Sequence, residues 1–251
     1  HVEAKACKQC HEEIYAQWVG SMHAQSSALK DPIHGAFYQN VVGDPKQEGV
    51  KMKNGKYPVC HKCHAPVAAM EKKTKLDSAN AYADGIHCVT CHSFKAFKGS
   101  DTADGKPLYG IDAYEIDTES LHGPSGITYT QERTPEDATW PTPVHHPQPM
   151  SGNKAELFKS NDICMGCHEK RANAHGTPLC RTGDEYRADK NFVACQACHM
   201  AMVTVPKLKE GQVVPGEFVT AWPVAMTKRW SAAVSPWRWR WTRATAPSRQ
   251  S

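Results

Sequence analysis

The chain has 251 residues, a formal charge of +4, and a composition that is 40% hydrophobic but only 8% aromatic. This length allows one or two domains, yet with seventeen prolines, seventeen glycines and a mean hydropathy of −0.60, side chains alone would build a thin core. No run of eighteen apolar residues occurs, which excludes a helical membrane span.

The first pattern in chain order is Cys7-Lys8-Gln9-Cys10-His11. The same Cys-x-x-Cys-His unit returns at Cys60–His64, Cys88–His92, Cys164–His168 and Cys195–His199. Two thiols three positions apart can reach the two vinyl groups of one porphyrin. The histidine after the second thiol is then held under the iron. This is the attachment signature of a c-type haem. The thioether residues are Cys7, Cys10, Cys60, Cys63, Cys88, Cys91, Cys164, Cys167, Cys195 and Cys198, and the proximal ligands are His11, His64, His92, His168 and His199. Zinc ribbons or disulfides are the competing reading, but neither demands a histidine after every second cysteine. The sequence therefore predicts five covalently bound haems of the c type. Ten of the eleven cysteines are used, and Cys180 is left as a buried small thiol.

The first unit leads into an amphipathic helix. Ile14, Tyr15 and Trp18 share a face with His11, and Gly20 stops the helix. His23 lies twelve residues past His11, about 18 Å away if helical, so it ligates a different haem. Residues 24–59 read as loops around a short helix near Ala36–Val41, with His34 solvated. Ala65–Leu76 reads as helical, with Lys72, Lys73 and Lys75 on a solvated face. Asp77 caps a further short helix that ends at Gly85.

Residues 93–153 read as long loops with a short β-hairpin. Loops of this length inside a compact domain are usually functional or tied to a cofactor, and here they hold His122, His145 and His146. Asn153 is expected to cap a helix through Phe158, and Asn161 or Asp162 the next. Cys60 and Cys88 are 28 residues apart and Cys164 and Cys195 are 31 apart, which suggests a repeated two-haem module after a single first haem. From Trp222 to Ser251 there are six basic residues, five tryptophans and no histidine. The predicted layout is a haem domain over 1–205 and a Trp/Arg-rich tail over 206–251, its arginines available to haem propionates.

Axial ligation decides the function. An iron with histidine on both sides suits electron transfer, and an open distal side admits a small molecule. Nine histidines stand outside the proximal positions. The candidate distal ligands are His23, His87, His122, His145, His146 and His175, with one of His145 and His146 used. His61 lies inside its own attachment loop and has a weaker case. With two propionates per haem the net charge becomes about −1 oxidised and about −6 reduced, so nucleic-acid binding does not follow from the sequence pI of 8.4. Haem attachment of this kind takes place outside the cytoplasm. The sequence begins at His1 without an apolar leader, and a secreted protein with its signal peptide removed is the expectation.

The run Cys7–His11 followed by Trp18 and Ser21-Met22-His23-Ala24 resembles the opening of multihaem cytochromes related to the tetrahaem acceptor of hydroxylamine oxidoreductase. Cys63-His64-Ala65-Pro66, Gly85–His92, and His175–Thr182 leading to Cys195–Met200 are similar too, so the resemblance covers roughly residues 1–205. It implies a mainly α fold with extensive loops and little β, closely stacked haems forming the core, and distal ligands donated between sites as by His23. All five motifs end in histidine, unlike pentahaem nitrite reductases, which carry lysine at the catalytic haem. Relatives often place a further ligand histidine near the C-terminus. This tail has none, so one distal position is open or is filled by a neighbouring subunit.

The leading expectation is an electron carrier rather than an enzyme, passing electrons along five haems to redox partner proteins. Its specific form is a self-associating extracellular filament with an inter-subunit haem ligand. The alternatives are a reductase or oxidase of a small nitrogen or sulfur compound at one open haem, and a soluble periplasmic shuttle.

Overall fold

The computed structural model describes residues 2–124, 150–151, 155–173, 175–189, 193–200, 202–203 and 219–220. Short helices dominate. They are α1 (Ala4–Cys7), α2 (Glu12–Val19), α3 (Pro32–Val41), α4 (His61–His64), α5 (Pro66–Met70), α6 (Asn80–Ala83), α7 (Cys88–His92), α8 (Ala155–Lys159), α9 (Asp162–His168), α10 (Thr182–Ala188) and α11 (Cys195–His199). The strands form separate two-stranded ribbons: β1 (Phe94–Phe97) with β2 (Tyr114–Ile116), β3 (Leu121–His122) with β4 (Met150–Ser151), β5 (Arg171–Ala172) with β6 (Pro178–Cys180), and β7 (Met202–Val203) with β8 (Val219–Thr220). The β3–β4 pair is parallel and the other three are antiparallel. Among the described residues no helix is long and apolar enough to cross a membrane.

The first helix ends as its sequence requires, with Gly20 at the C-cap of α2 and Trp18 buried. Helix α3 is longer than the expected Ala36–Val41. Pro32 occupies the first turn, where no amide is needed, and the Asp31 carboxylate accepts from the amides of Ile33 and His34. That cap turns His34 and Tyr38, one helical turn apart, to the inside: His34 is 9% exposed and Tyr38 fully buried. The expectation of a solvated His34 is therefore overturned, because a helix start at residue 32 sets its facing. The expected helix over Ala65–Leu76 is also cut short. It stops at Met70, Lys72 adopts a left-handed φ of 55°, and a 3-10 turn covers Leu76–Ser78. Asp77 lies in that turn, and Ala79 precedes α6 in the cap position.

The apolar interior is divided into small clusters rich in alanine. One gathers Tyr38, Val67 and Leu76. A second holds Ala4, Trp18 and Ala24. The third joins Phe94, Ala113 and Tyr114 under the β1–β2 ribbon, the hairpin expected within 93–153. Here the Tyr114 ring stacks on Phe94 at 3.8 Å. Its hydroxyl lies 2.9 Å and 2.8 Å from the carbonyls of Asp162 and Ile163 and accepts from the Gly166 amide. A methyl group at Gly166 would fall 2.3 Å from the Tyr114 ring, so this glycine lets the Cys164–His168 unit lie flat against the hairpin.

The end of the same unit is pinned by charge. Glu169, 6% exposed, accepts from the Arg187 guanidinium at 2.7 and 2.5 Å. Arg187 holds its carboxyl down at about 2, against the ordinary 4.5. A depressed carboxyl stabilises the fold above its unfolded value and loses that contribution as pH falls towards its folded value. Stability is therefore expected to fall between about pH 4.5 and about pH 2. Glu169→Gln should lower stability at neutral pH and flatten that slope in denaturant titrations at stepped pH. An unchanged slope would remove Glu169 as its source.

Candidate haem sites

Four of the Cys-x-x-Cys-His units lie on helices that close on the motif histidine: α4, α7, α9 and α11. Residues three and four apart share a helix face, so one turn presents two thiols and an imidazole together. In the first unit Cys7 ends α1, and His11 caps α2. All eleven cysteines are among the described residues and none is in a disulfide. No group of three or more His, Cys, Asp or Glu side chains among the described residues is arranged to hold a metal ion.

The units meet in an order that differs from their order in sequence. The thiols of Cys7 and Cys88 lie against one another, as do those of Cys63 and Cys167, and of Cys164 and Cys195. Unit one thus adjoins unit three, and unit four adjoins both two and five. The repeated module read from the 28- and 31-residue spacings pairs two with three and four with five; the second pair does touch, whereas no thiol contact joins two to three. The last contact is braced from below. Asn161, expected to cap α9, makes no side-chain cap bond there and accepts instead from the Cys195 amide at 2.7 Å. Gln196 donates to the carbonyls of Phe158 and Ser160.

His23 is brought to a proximal histidine other than His11. Its ring centre is 6.0 Å from that of His168. Two metal–nitrogen bonds of about 2 Å each, plus the depth of two rings, give roughly this separation for imidazoles on opposite sides of one iron. The turn carrying His23 is fixed by its backbone: the Ile86 amide donates to the His23 carbonyl at 3.0 Å, and Trp18 Nε1 donates to the Ile86 carbonyl at 2.7 Å. Gly85, at φ +71°, lets the chain approach, since a methyl group there would meet the His23 carbonyl at 2.6 Å.

Ser26 ties three units together, and sequence reading missed it. Its hydroxyl lies 2.9 Å and 3.0 Å from the carbonyls of His23 and His64, and accepts from the Ile86 amide. Its carbonyl faces Nδ1 of both His34 (3.0 Å) and His64 (3.2 Å). The two rings are 4.0 Å apart. Because both hang from one carbonyl, their Nε2 atoms lie on the same side. They cannot clamp one iron between them without releasing one of those bonds.

The other candidates divide. His87 is 2% exposed and His122 is 1% exposed. His175 lies exposed in the turn between β5 and β6, and its ring makes no hydrogen bond, ion pair or ring contact with the described residues. His145 and His146 lie outside the described residues, as do Asn153 and the tail apart from Val219–Thr220. His61 is fully buried, stacked on Tyr38 at 5.0 Å, with Nδ1 3.1 Å from the Tyr57 hydroxyl. Cys180 is half-buried rather than buried. Its thiol points to the His168 carbonyl (3.4 Å), and contact with His168 and Thr182 lowers it to about 7.

These side chains fit haem iron on two counts. Desolvation pushes His23, His61, His64 and His87 down to about 4, so the imidazoles are neutral at physiological pH, the form that binds metal. Near His87 the Ala81 carbonyl pulls the other way without making a bond of good geometry. In addition, Nε2 of His34 and of His61, both nitrogens of His87 and Nδ1 of His122 are buried without a hydrogen-bond partner. Such a nitrogen costs about 1–3 kcal/mol, which a metal bond offsets.

Helical Cys-x-x-Cys-His turns packed thiol to thiol, with neutral imidazoles buried between them, define a multihaem c-type cytochrome. Residues 6–93 match the family model for cytochrome c554 and c-prime. The chain is also similar to the crystal structure of a penta-heme cytochrome c552 from Thermochromatium tepidum, at 42% identity and a TM-score of 0.68. The match covers 88% of this chain and 56% of that one, so the chain spans little more than half the length of this relative. No curated protein matches it. The mainly helical, sheet-poor fold expected from the sequence is the multihaem cytochrome c fold of this relative.

Proposed function

We propose that the chain is an electron-transfer protein of the extracytoplasmic space that carries five c-type haems and exchanges electrons with redox partner proteins. Haem c supplies a one-electron ferric/ferrous couple when bound. The polypeptide supplies thioether anchors at the ten motif cysteines, proximal ligands at His11, His64, His92, His168 and His199, and distal ligands from His23, His87 and His122. His34 joins this set through its buried Nε2. His145, His146 and His175 remain candidates for the fifth iron. The observation that carries the reading is the 6.0 Å spacing of His23 and His168. It leaves room for an iron with two imidazoles and none for a substrate, which is the closed ligation of a carrier. The thiol contacts between units add support, since they hold neighbouring attachment sites edge to edge. Nothing in the geometry or in the relative favours the filament form, so the proposal stops at electron carriage.

Haem quantification with electron paramagnetic resonance of the oxidised holoprotein tests this. Five haems per chain with low-spin signals alone are expected. A high-spin signal equal to one haem per chain, together with steady turnover of nitrite, hydroxylamine or sulfite, would replace the carrier by a reductase.

A further inference from the structure

We propose that Asp117 is a positioning residue that sets the reduction potential of one haem through His122, in a carboxylate–histidine–iron arrangement. This rests on the reading of His122 as an axial ligand. The turn 117–120 is built around the carboxylate. Asp117 Oδ1 accepts from the amides of Glu119 and Ser120, both at 2.9 Å, and Oδ2 lies 2.9 Å from His122 Nε2. The Asp117 amide donates to the Ser93 carbonyl at 2.8 Å, which fixes the turn against the residue after His92.

The tautomer follows from these contacts. The backbone amides of Glu119 and Ser120 donate to Oδ1, so the Asp117 side chain stands as an acceptor, and His122 Nε2 carries the proton and donates to Oδ2. The lone pair is then on Nδ1, the nitrogen that is buried without a partner. This is the atom the geometry offers to iron. His92 Nδ1 donates to the His122 carbonyl at 2.5 Å, so His122 stands behind the proximal imidazole of the third unit and serves an iron other than that one.

A carboxylate on the outer nitrogen of a ligating imidazole raises its basicity. A more basic ligand favours ferric over ferrous iron and lowers the potential. Asp117→Asn keeps an acceptor oxygen at Nε2 and removes the charge. Spectropotentiometric titration of the holoprotein should then show one haem easier to reduce by about tenfold in its equilibrium, about 59 mV for one electron, with the number of low-spin haems unchanged. Asp117→Ser gives the same readout if the amide disturbs the turn. His122→Ala separates the two readings, because it should open one haem to high spin. If it does so while removal of the Asp117 charge moves no potential, this proposal falls and the ligand reading stands. If His122→Ala leaves every haem low-spin, both fall. If Asp117→Asn itself turns a haem high-spin, Asp117 only builds the turn, and the tuning role is overturned.

Discussion

On the ligand set proposed above, replacement of His23 by alanine is expected to turn one low-spin haem into a high-spin one, while the others keep their signals. The ring of His23 faces His168 across 6.0 Å, and its pKa is pushed down to about 4 by burial and then by His168. Its backbone is held independently of its ring, through the Ile86 amide and the Ser26 hydroxyl. Alanine should therefore remove the ligand and leave the turn standing. Added imidazole should enter the space and restore the low-spin signal, which a variant that had merely misfolded would not allow. An unchanged spectrum in His23→Ala would remove His23 from the fourth site and with it the main support for closed ligation there.

Gly110→Ala is expected to be the most destabilising alanine substitution among the described glycines. Gly110 has φ +54°, and a methyl group there would lie 2.0 Å from the Lys62 carbonyl oxygen and 2.9 Å from the Cys63 amide. The obstacle is the backbone inside the second attachment unit, which has no rotamer to change. A left-handed alanine costs about 1–2 kcal/mol and overpacking a further 1–3 kcal/mol, so a loss of roughly 2–5 kcal/mol should appear in denaturant unfolding of the holoprotein. Gly105→Ala is the control. It has φ +74° and nothing within 4 Å of the added carbon, so it should lose only the conformational part. Equal losses in the two variants would show that the close approach of Gly110 to unit two contributes nothing. The Lys62–Asp112 ion pair beside this contact has the same effect of joining unit two to the segment before β2.

Much of this was legible in short stretches of sequence. Cys-x-x-Cys-His is a local pattern whose members meet on one helical turn, so the candidate attachment units could be read without tertiary information. The distance from His11 to His23 pointed away from a shared iron, and the packing brings His23 to His168 instead. Other expectations failed where one residue reset a boundary. Asp31 and Pro32 start α3 early enough to carry His34 inside, and Lys72 ends the helix that was expected to reach Leu76.

The sequence by itself determined the recurring pattern: five Cys-x-x-Cys-His units, a sheet-poor helical fold and an interior too small for side chains alone. Only the tertiary structure decided which units touch and what stands behind each ligand. Cys7 meets Cys88, Cys63 meets Cys167, and Ser26 meets His64 thirty-eight residues away. The physical reason is range. Attachment depends on bonds and dihedral angles within five residues, whereas pairing depends on contacts between distant segments whose composition carries no record of their partners.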